Sequence, residues 1–150
     1  MKSIADSRLK LDTTPRIRAR MRKQRSRGTG PEVELRRSLR RLSMGYRVHA
    51  RPVPNVRRVA DVVFLRARVA VFVDGCFWHG CPEHGTWPIS NSEFWRSKIL
   101  RNRERDRETE AMLTKVGWVA VRVWEHEDPD RAALTIRDAV HRRVRTETRL

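Results

Sequence analysis

The sequence predicts an α/β domain, a central mixed sheet flanked by helices, and three observations carry that prediction. Two apolar runs rich in Val, Ala and Phe lie close enough to form a hairpin. Segments with a helical spacing of apolar residues lie on either side of it, and a single further strand stands between the last two of them. A run of strands followed by helix, strand, helix closes most simply as one layered unit with a crossover to the later strand. At 150 residues the chain holds one core. The expected organisation is a basic arm over residues 1–28, a folded domain over 29–145 and a tail over 146–150.

The first helix is expected in "GTGPEVELRRSLRRLSMG", with Thr29 as cap, Pro31 in the first turn, Glu32 and Glu34 at the positive end and Gly45 as the stop. Val33, Leu35, Leu39 and Leu42 form its apolar stripe. "YRVHARPVP" then reads as a strand entering a Pro-rich turn. "RRVADVVFLRARVAVFVD" reads as a hairpin turning at "LRAR", both of whose arms are too apolar for a sheet edge. "NSEFWRSKILRNRERDRETEAMLTKVG" reads as a long helix capped by Asn or Ser and closed by Gly117. "WVAVRVWE" supplies a fourth strand, and "DPDRAALTIRDAVHRRV" a final helix.

Composition directs the function. Lys and Arg number 34 against 18 Asp and Glu, a net charge of +16 with a pI near 11.5, which favours a polyanionic partner and nucleic acid above all. Residues 1–30 alone hold ten Lys or Arg and two Asp. Arg16, Arg18, Arg20, Arg22, Lys23, Arg25 and Arg27 would meet a phosphate backbone, with a solvated tail as the plain alternative. No apolar run approaches the roughly 18–20 residues that span a bilayer, so no membrane partner and a cytoplasmic location are expected. In a reducing compartment the two cysteines, Cys76 and Cys81, are expected to ligate metal or to pack rather than to form a disulfide.

Chemistry concentrates in "VFVDGCFWHGCPEHG" and the strand before it. Asp61 and Asp74 fall nearly opposite one another in the hairpin. Two carboxylates beside apolar walls suit Mg²⁺, which takes carboxylate and water oxygens and grips phosphate; the plain alternative is a pair of strand-end residues meeting solvent. Cys76, Cys81 and His84, spaced C-x4-C-x2-H, together with His126 after the fourth strand, could complete a tetrahedral zinc site that braces the loop. A packed Cys76 and an exposed turn histidine are the alternative. His79 is set outside the zinc ligands, as a proton carrier for phosphodiester hydrolysis. Phe77 and Trp78, with Trp95 in the following helix, offer flat faces that could unstack base pairs, whereas Trp118 and Trp124 read as core. For Asp106 and Glu32, spacing alone favours pairing with a nearby Arg.

Three words, "FVDGCFWHGC", "FWRSKILRNRERD" and "GWVAVRVWE", carry a resemblance to the very-short-patch repair endonucleases, bacterial enzymes that nick DNA beside a T:G mismatch. It spans about Arg16 to Glu127. The resemblance implies a restriction-endonuclease-like fold of the PD-(D/E)xK superfamily, with 29–145 as the endonuclease domain. It places the metal aspartate at Asp61, a backbone carbonyl ligand of the same Mg²⁺ at Val73, the catalytic histidine at His79, the helix aspartate at Asp106 and the first-helix acid at Glu32. It places the intercalating aromatics at Phe77, Trp78 and Trp95, and structural Zn²⁺ at Cys76, Cys81, His84 and His126.

Well-known members carry histidine where this chain has Asp74, proline where it has Ala60, and often cysteine where it has His126; zinc accepts either Cys or His. The implied activity is Mg²⁺-dependent hydrolysis of one phosphodiester next to a T:G pair left by deaminated 5-methylcytosine. The implied protein is a monomer on double-stranded DNA, bacterial and nucleoid-associated, with other repair proteins downstream. A restriction-like or general damage endonuclease, and a non-catalytic zinc-containing DNA-binding module, are the alternatives.

Overall fold

The computed structural model describes residues 30–76, 81 and 91–148. The basic arm from Arg16 to Arg27, and Phe77, Trp78, His79 and His84 of the loop, lie outside the described residues. Helix α1 (Gly30–Arg41) leads into strands β1 (Arg47–Ala50), β2 (Ala60–Phe64) and β3 (Val69–Asp74). Helix α2 (Ser92–Lys115), strand β4 (Val119–Trp124) and helix α3 (Pro129–Thr148) follow. The described elements thus follow the expected order, with a four-stranded mixed sheet and three helices.

The sheet order is β1-β2-β3-β4, antiparallel across the first two pairs and parallel between β3 and β4. A parallel neighbour needs a crossover, and α2 supplies it. The hairpin register pairs Val62 with Val71, Val63 with Ala70 and Phe64 with Val69. The recorded pairs stop at Val62 and Val71, and beyond them Asp61 meets β3 through its side chain, at the Val73 N–H.

Alternation along the strands divides the core between two faces. Val62, Phe64, Val69, Val71 and Val123 pack against Leu35 and Leu39 of α1 and Ala132, Ala133 and Ile136 of α3. Ala60, Val63, Ala70 and Phe72 pack with Leu113 of α2, and Trp118 packs against them as expected. β3 is buried on both faces, which explains why its sequence is a continuous apolar run.

The helix ends are specified locally. Asp128 caps α3: its Oδ2 accepts the Arg131 N–H at 3.1 Å, with Pro129 as first helical residue. α2 closes through Gly117 at φ 83, whose N–H reaches the Thr114 carbonyl at 3.1 Å while the Trp118 N–H reaches Leu113 at 2.8 Å. α1 closes in the same pattern, Ser43 N–H to Arg40 at 2.9 Å and Met44 N–H to Leu39 at 3.2 Å, but the left-handed residue is Ser43 (φ 58) and not the expected Gly45. The Leu42 side chain packs on the core, which sets the turn ahead of the glycine. At the start of α2, Asn91 adopts a left-handed conformation (φ 57) and its side chain makes no capping hydrogen bond.

Candidate active site and metal centre

Asp61 sits near the start of β2, partly buried. Its Oδ2 accepts a hydrogen bond from the Val73 N–H of the neighbouring strand at 2.7 Å, which fixes the carboxylate's orientation. Burial pushes its pKa up to about 6, and the negative charges of Glu32 and Asp74 add to that rise, while the Val73 N–H opposes it. A buried carboxylate that ionises reluctantly is one whose ionisation a bound cation would stabilise.

Glu32 comes from the first turn of α1, where the helix dipole favours an anion, and it is 7 % exposed. His49 comes from β1, with Nε2 3.6 Å from Glu32 Oε2. One ligand atom from each of Glu32, His49 and Asp61 lies within 4.8 Å of the others. His49 holds a left-handed backbone (φ 47) inside a strand, a strain that persists only where the surroundings impose it. Two carboxylates and an imidazole are a donor set suited to a divalent cation. Sequence reasoning missed His49. Its signal was its place in β1, the strand that pairs with the one carrying Asp61.

Asp74, which ends β3, is engaged elsewhere. Its Oδ1 accepts a hydrogen bond from Arg122 Nη1 at 2.9 Å, and the residue is 6 % exposed. Arg122 also reaches Glu110 Oε1 through Nε at 2.7 Å and Asp106 Oδ1 through Nη2 at 3.4 Å, and its guanidinium lies 4.6 Å from the Phe72 ring centre. One planar fork therefore gathers acids from β3 and α2. Asp106 pairs with an arginine, as spacing favoured, and that arginine also holds Asp74. Arg122 was the second residue missed; the signal was a lone charge in the otherwise apolar "VAVRVW".

The thiol cluster is built just past the same end of β3, two residues beyond Asp74. Cys76 and Cys81 are buried, and the Cys81 N–H donates to the Cys76 carbonyl at 2.9 Å. His126 Nδ1 stands 3.1 Å from Cys76 Sγ and 3.7 Å from Cys81 Sγ. A tetrahedral zinc with S ligands at ~2.3 Å and N ligands at ~2.0 Å separates S from N by ~3.6 Å, so the described donors already have about the right spacing. Burial and the neighbouring Cys81 push the Cys76 thiol up to about 11. The Cys76 N–H donates to Glu125 Oε1 at 3.0 Å, and the Glu125 N–H to the Asp74 carbonyl at 2.9 Å, so the loop is stitched to both strand ends. Trp124 stacks on His126 at 6.4 Å rather than entering the core fully.

Trp95 is 2 % exposed and packs edge to face against Phe94, with ring centres 5.2 Å apart. Its ring is seated within the protein in this structure. Among the described residues no helix is long and apolar enough to cross a membrane.

A family model described as DNA mismatch endonuclease Vsr matches residues 10–84. Among curated proteins, the type II nicking enzyme V.NaeI of Lentzea aerocolonigenes is 44 % identical over 123 residues, covering 81 % of this chain and 74 % of that protein. The type II nicking enzyme V.XorIIP of Xanthomonas oryzae is 39 % identical, covering 81 % of this chain and 88 % of the relative. The DNA mismatch endonuclease Vsr of Escherichia coli is 34 % identical, covering 70 % and 66 %.

Proposed function

Because the chain belongs to the family of the DNA mismatch endonuclease Vsr, we propose that it nicks one strand of duplex DNA next to a T:G mismatch by divalent-metal-dependent hydrolysis, and so starts very-short-patch repair. The observation that carries this reading is the gathering of Glu32, His49 and Asp61 at one end of a hairpin whose other acid, Asp74, is held by Arg122. A chain of net charge +16 that only bound phosphate would not place this many acids in one region.

The catalytic cation is proposed to be Mg²⁺, held by Asp61 with the Val73 carbonyl and with Asp74 or Glu32 completing its carboxylate oxygens. When bound it would supply charge stabilisation at the transferring phosphorus. The chain's own residues do the rest. The Val73 N–H orients Asp61, Arg122 holds Asp74 and Asp106 in fixed positions, and His79 is proposed to take the proton from the attacking water, the leaving 3′-oxygen being protonated in turn to the hydroxyl.

A structural Zn²⁺ is proposed for Cys76, Cys81, His84 and His126, of which the three described members lie within ligand distance of one another. Phe77 and Trp78 are proposed as the wedge that opens a weakly stacked T:G step. For Trp95 to join them, its ring must leave its seat beside Phe94 when DNA binds. The fold is proposed to be of the PD-(D/E)xK type, with residues 1–28 as the DNA-clamping arm, acting as a monomer in the bacterial cytoplasm at the nucleoid.

A second reading, sequence-directed nicking of matched DNA, is favoured by the description of the V.NaeI and V.XorIIP relatives as type II nicking enzymes. One assay separates the two. End-labelled duplexes with and without a T:G pair are incubated with Mg²⁺; the first reading requires nicking of the mismatched duplex alone and its loss in Asp61→Ala with duplex binding retained. Equal nicking of both duplexes overturns it.

A further inference from the structure

The connection between β1 and β2 carries Arg57 and Arg58, just ahead of Asp61, and faces α2 across two adjoining cavities of about 400 and 620 Å³. Arg58 and Arg105 line both. In the smaller cavity four arginines, Arg57, Arg58, Arg105 and Arg122, face one carboxylate, Asp106. Arg122 is committed to its three acids. Among the described residues no ion pair engages the Arg57 or Arg105 guanidinium.

Arg58 is the informative member. Its Nε–H is buried with no hydrogen-bond partner among the described residues. Among the described residues its Nη2 pairs only with Glu108 Oε2, at 3.8 Å, beyond ordinary hydrogen-bond length, and the Glu108 side chain is 58 % exposed. A buried, unsatisfied donor is costly, and an exposed loose pair contributes almost nothing to offset it. The groove therefore holds a guanidinium with its edge unused, next to two further positive charges.

We propose that Arg58, with Arg57 and Arg105 beside it, cradles a phosphate of the duplex backbone in the groove between the β1–β2 connection and α2. This deepens the DNA-nicking reading and rests on it. Turned off Glu108 toward the groove, the side chain would present Nε–H and Nη2–H on one edge to two oxygens of one phosphate and release Glu108 to solvent. The cradle lies beside the catalytic acids, through Arg105 and the adjacent Asp106, so it would fix the register of the strand relative to them without reading bases.

The test is duplex binding without divalent metal, followed by fluorescence anisotropy across a salt series. Arg58→Gln should weaken binding to matched and T:G duplexes by the same factor, on the order of 5–10-fold, and reduce the slope of log K against log salt by ~0.9, the loss of one phosphate contact. Arg58→Lys should keep the slope, because the charge remains. Glu108→Gln, which removes the competing carboxylate from an exposed site, should tighten binding. An unchanged slope in Arg58→Gln, a loss confined to the mismatched duplex, or no tightening in Glu108→Gln each overturns the cradle. Should Arg58→Gln fail to fold by circular dichroism, the Arg58→Lys and Glu108→Gln results decide alone. Nicking by the wild-type protein, measured in parallel, tests the endonuclease reading separately: absent nicking with an intact Arg58 effect rejects that reading and leaves the phosphate contact standing.

Discussion

The Asp61 carboxylate accepts the main-chain N–H of Val73 at 2.7 Å, so a side chain on β2 is oriented by the backbone of β3 rather than by another side chain. A backbone donor cannot turn away, so the carboxylate stays aimed although burial and two neighbouring acids disfavour its charge.

That cost is measurable in metal-free protein. The folded pKa, about 6, stands above the ordinary 3.8. The contribution of Asp61 to stability is therefore fully present below pH ~4 and is lost as pH rises through 6, an amount on the order of 2 kcal/mol. Asp61→Asn, which keeps an acceptor for Val73, should melt above wild type at pH 8 in chelator and match it near pH 4. Adding Mg²⁺ should raise the wild-type midpoint and leave the variant's unmoved. A variant that melts below wild type at pH 8 would show that burial is not the dominant influence on Asp61.

Arg122 joins Asp74, Asp106 and Glu110 through one guanidinium. Arg122→Met should destabilise the fold by roughly 2–3 kcal/mol, less than a fully buried pair because Glu110 is half exposed, and Arg122→Lys should restore part of it. Urea unfolding reads both; equal stability of Arg122→Met and wild type would remove the charge-balance argument.

Zinc binding should release protons. The Cys76 thiol, pushed up to about 11, is protonated at neutral pH without metal, and zinc takes thiolates. Calorimetric titration of apo-protein with Zn²⁺ in buffers of differing ionisation enthalpy should show the Cys76 proton released on binding, and Cys76→Ser should abolish tight binding. Protein that binds no zinc at micromolar concentration would rule the centre out.

Ser43 occupies the left-handed position that closes α1. Glycine enters that region without the side-chain penalty, so Ser43→Gly should stabilise by about 1 kcal/mol, or 2–4 °C in thermal midpoint for a chain of this size. Calorimetry checks it, and a lower midpoint would show that the Ser43 side chain contributes something that glycine cannot.

Much of the fold was legible because each signal was local: the stop at Gly117, the doubly buried run from Val69 to Asp74, and the helical spacing of Leu35 and Leu39. Partnerships within the site were not. Asp61 and Asp74 read as a facing pair, but Glu32 of the first helix and an arginine one strand away give them different neighbours. That arginine and His49 are brought to the acids by strand pairing and by a reversed backbone, neither of which leaves a spacing in the sequence. Cys76, Cys81 and His126 were legible because sulfur and imidazole are few enough in this chain to be matched by type alone.

The three acids around Arg122, with Glu32 and Asp61 nearby, leave a small region of negative surplus inside a molecule whose distant field is strongly positive. The two fields respond to different solutes. Added monovalent salt screens the long-range attraction that gathers duplex from solution, whereas a divalent cation, at concentrations too low to change the ionic strength much, binds the clustered carboxylates. Salt titrations and metal titrations of this protein should therefore separate the capture of DNA from the readiness of the site to act on it.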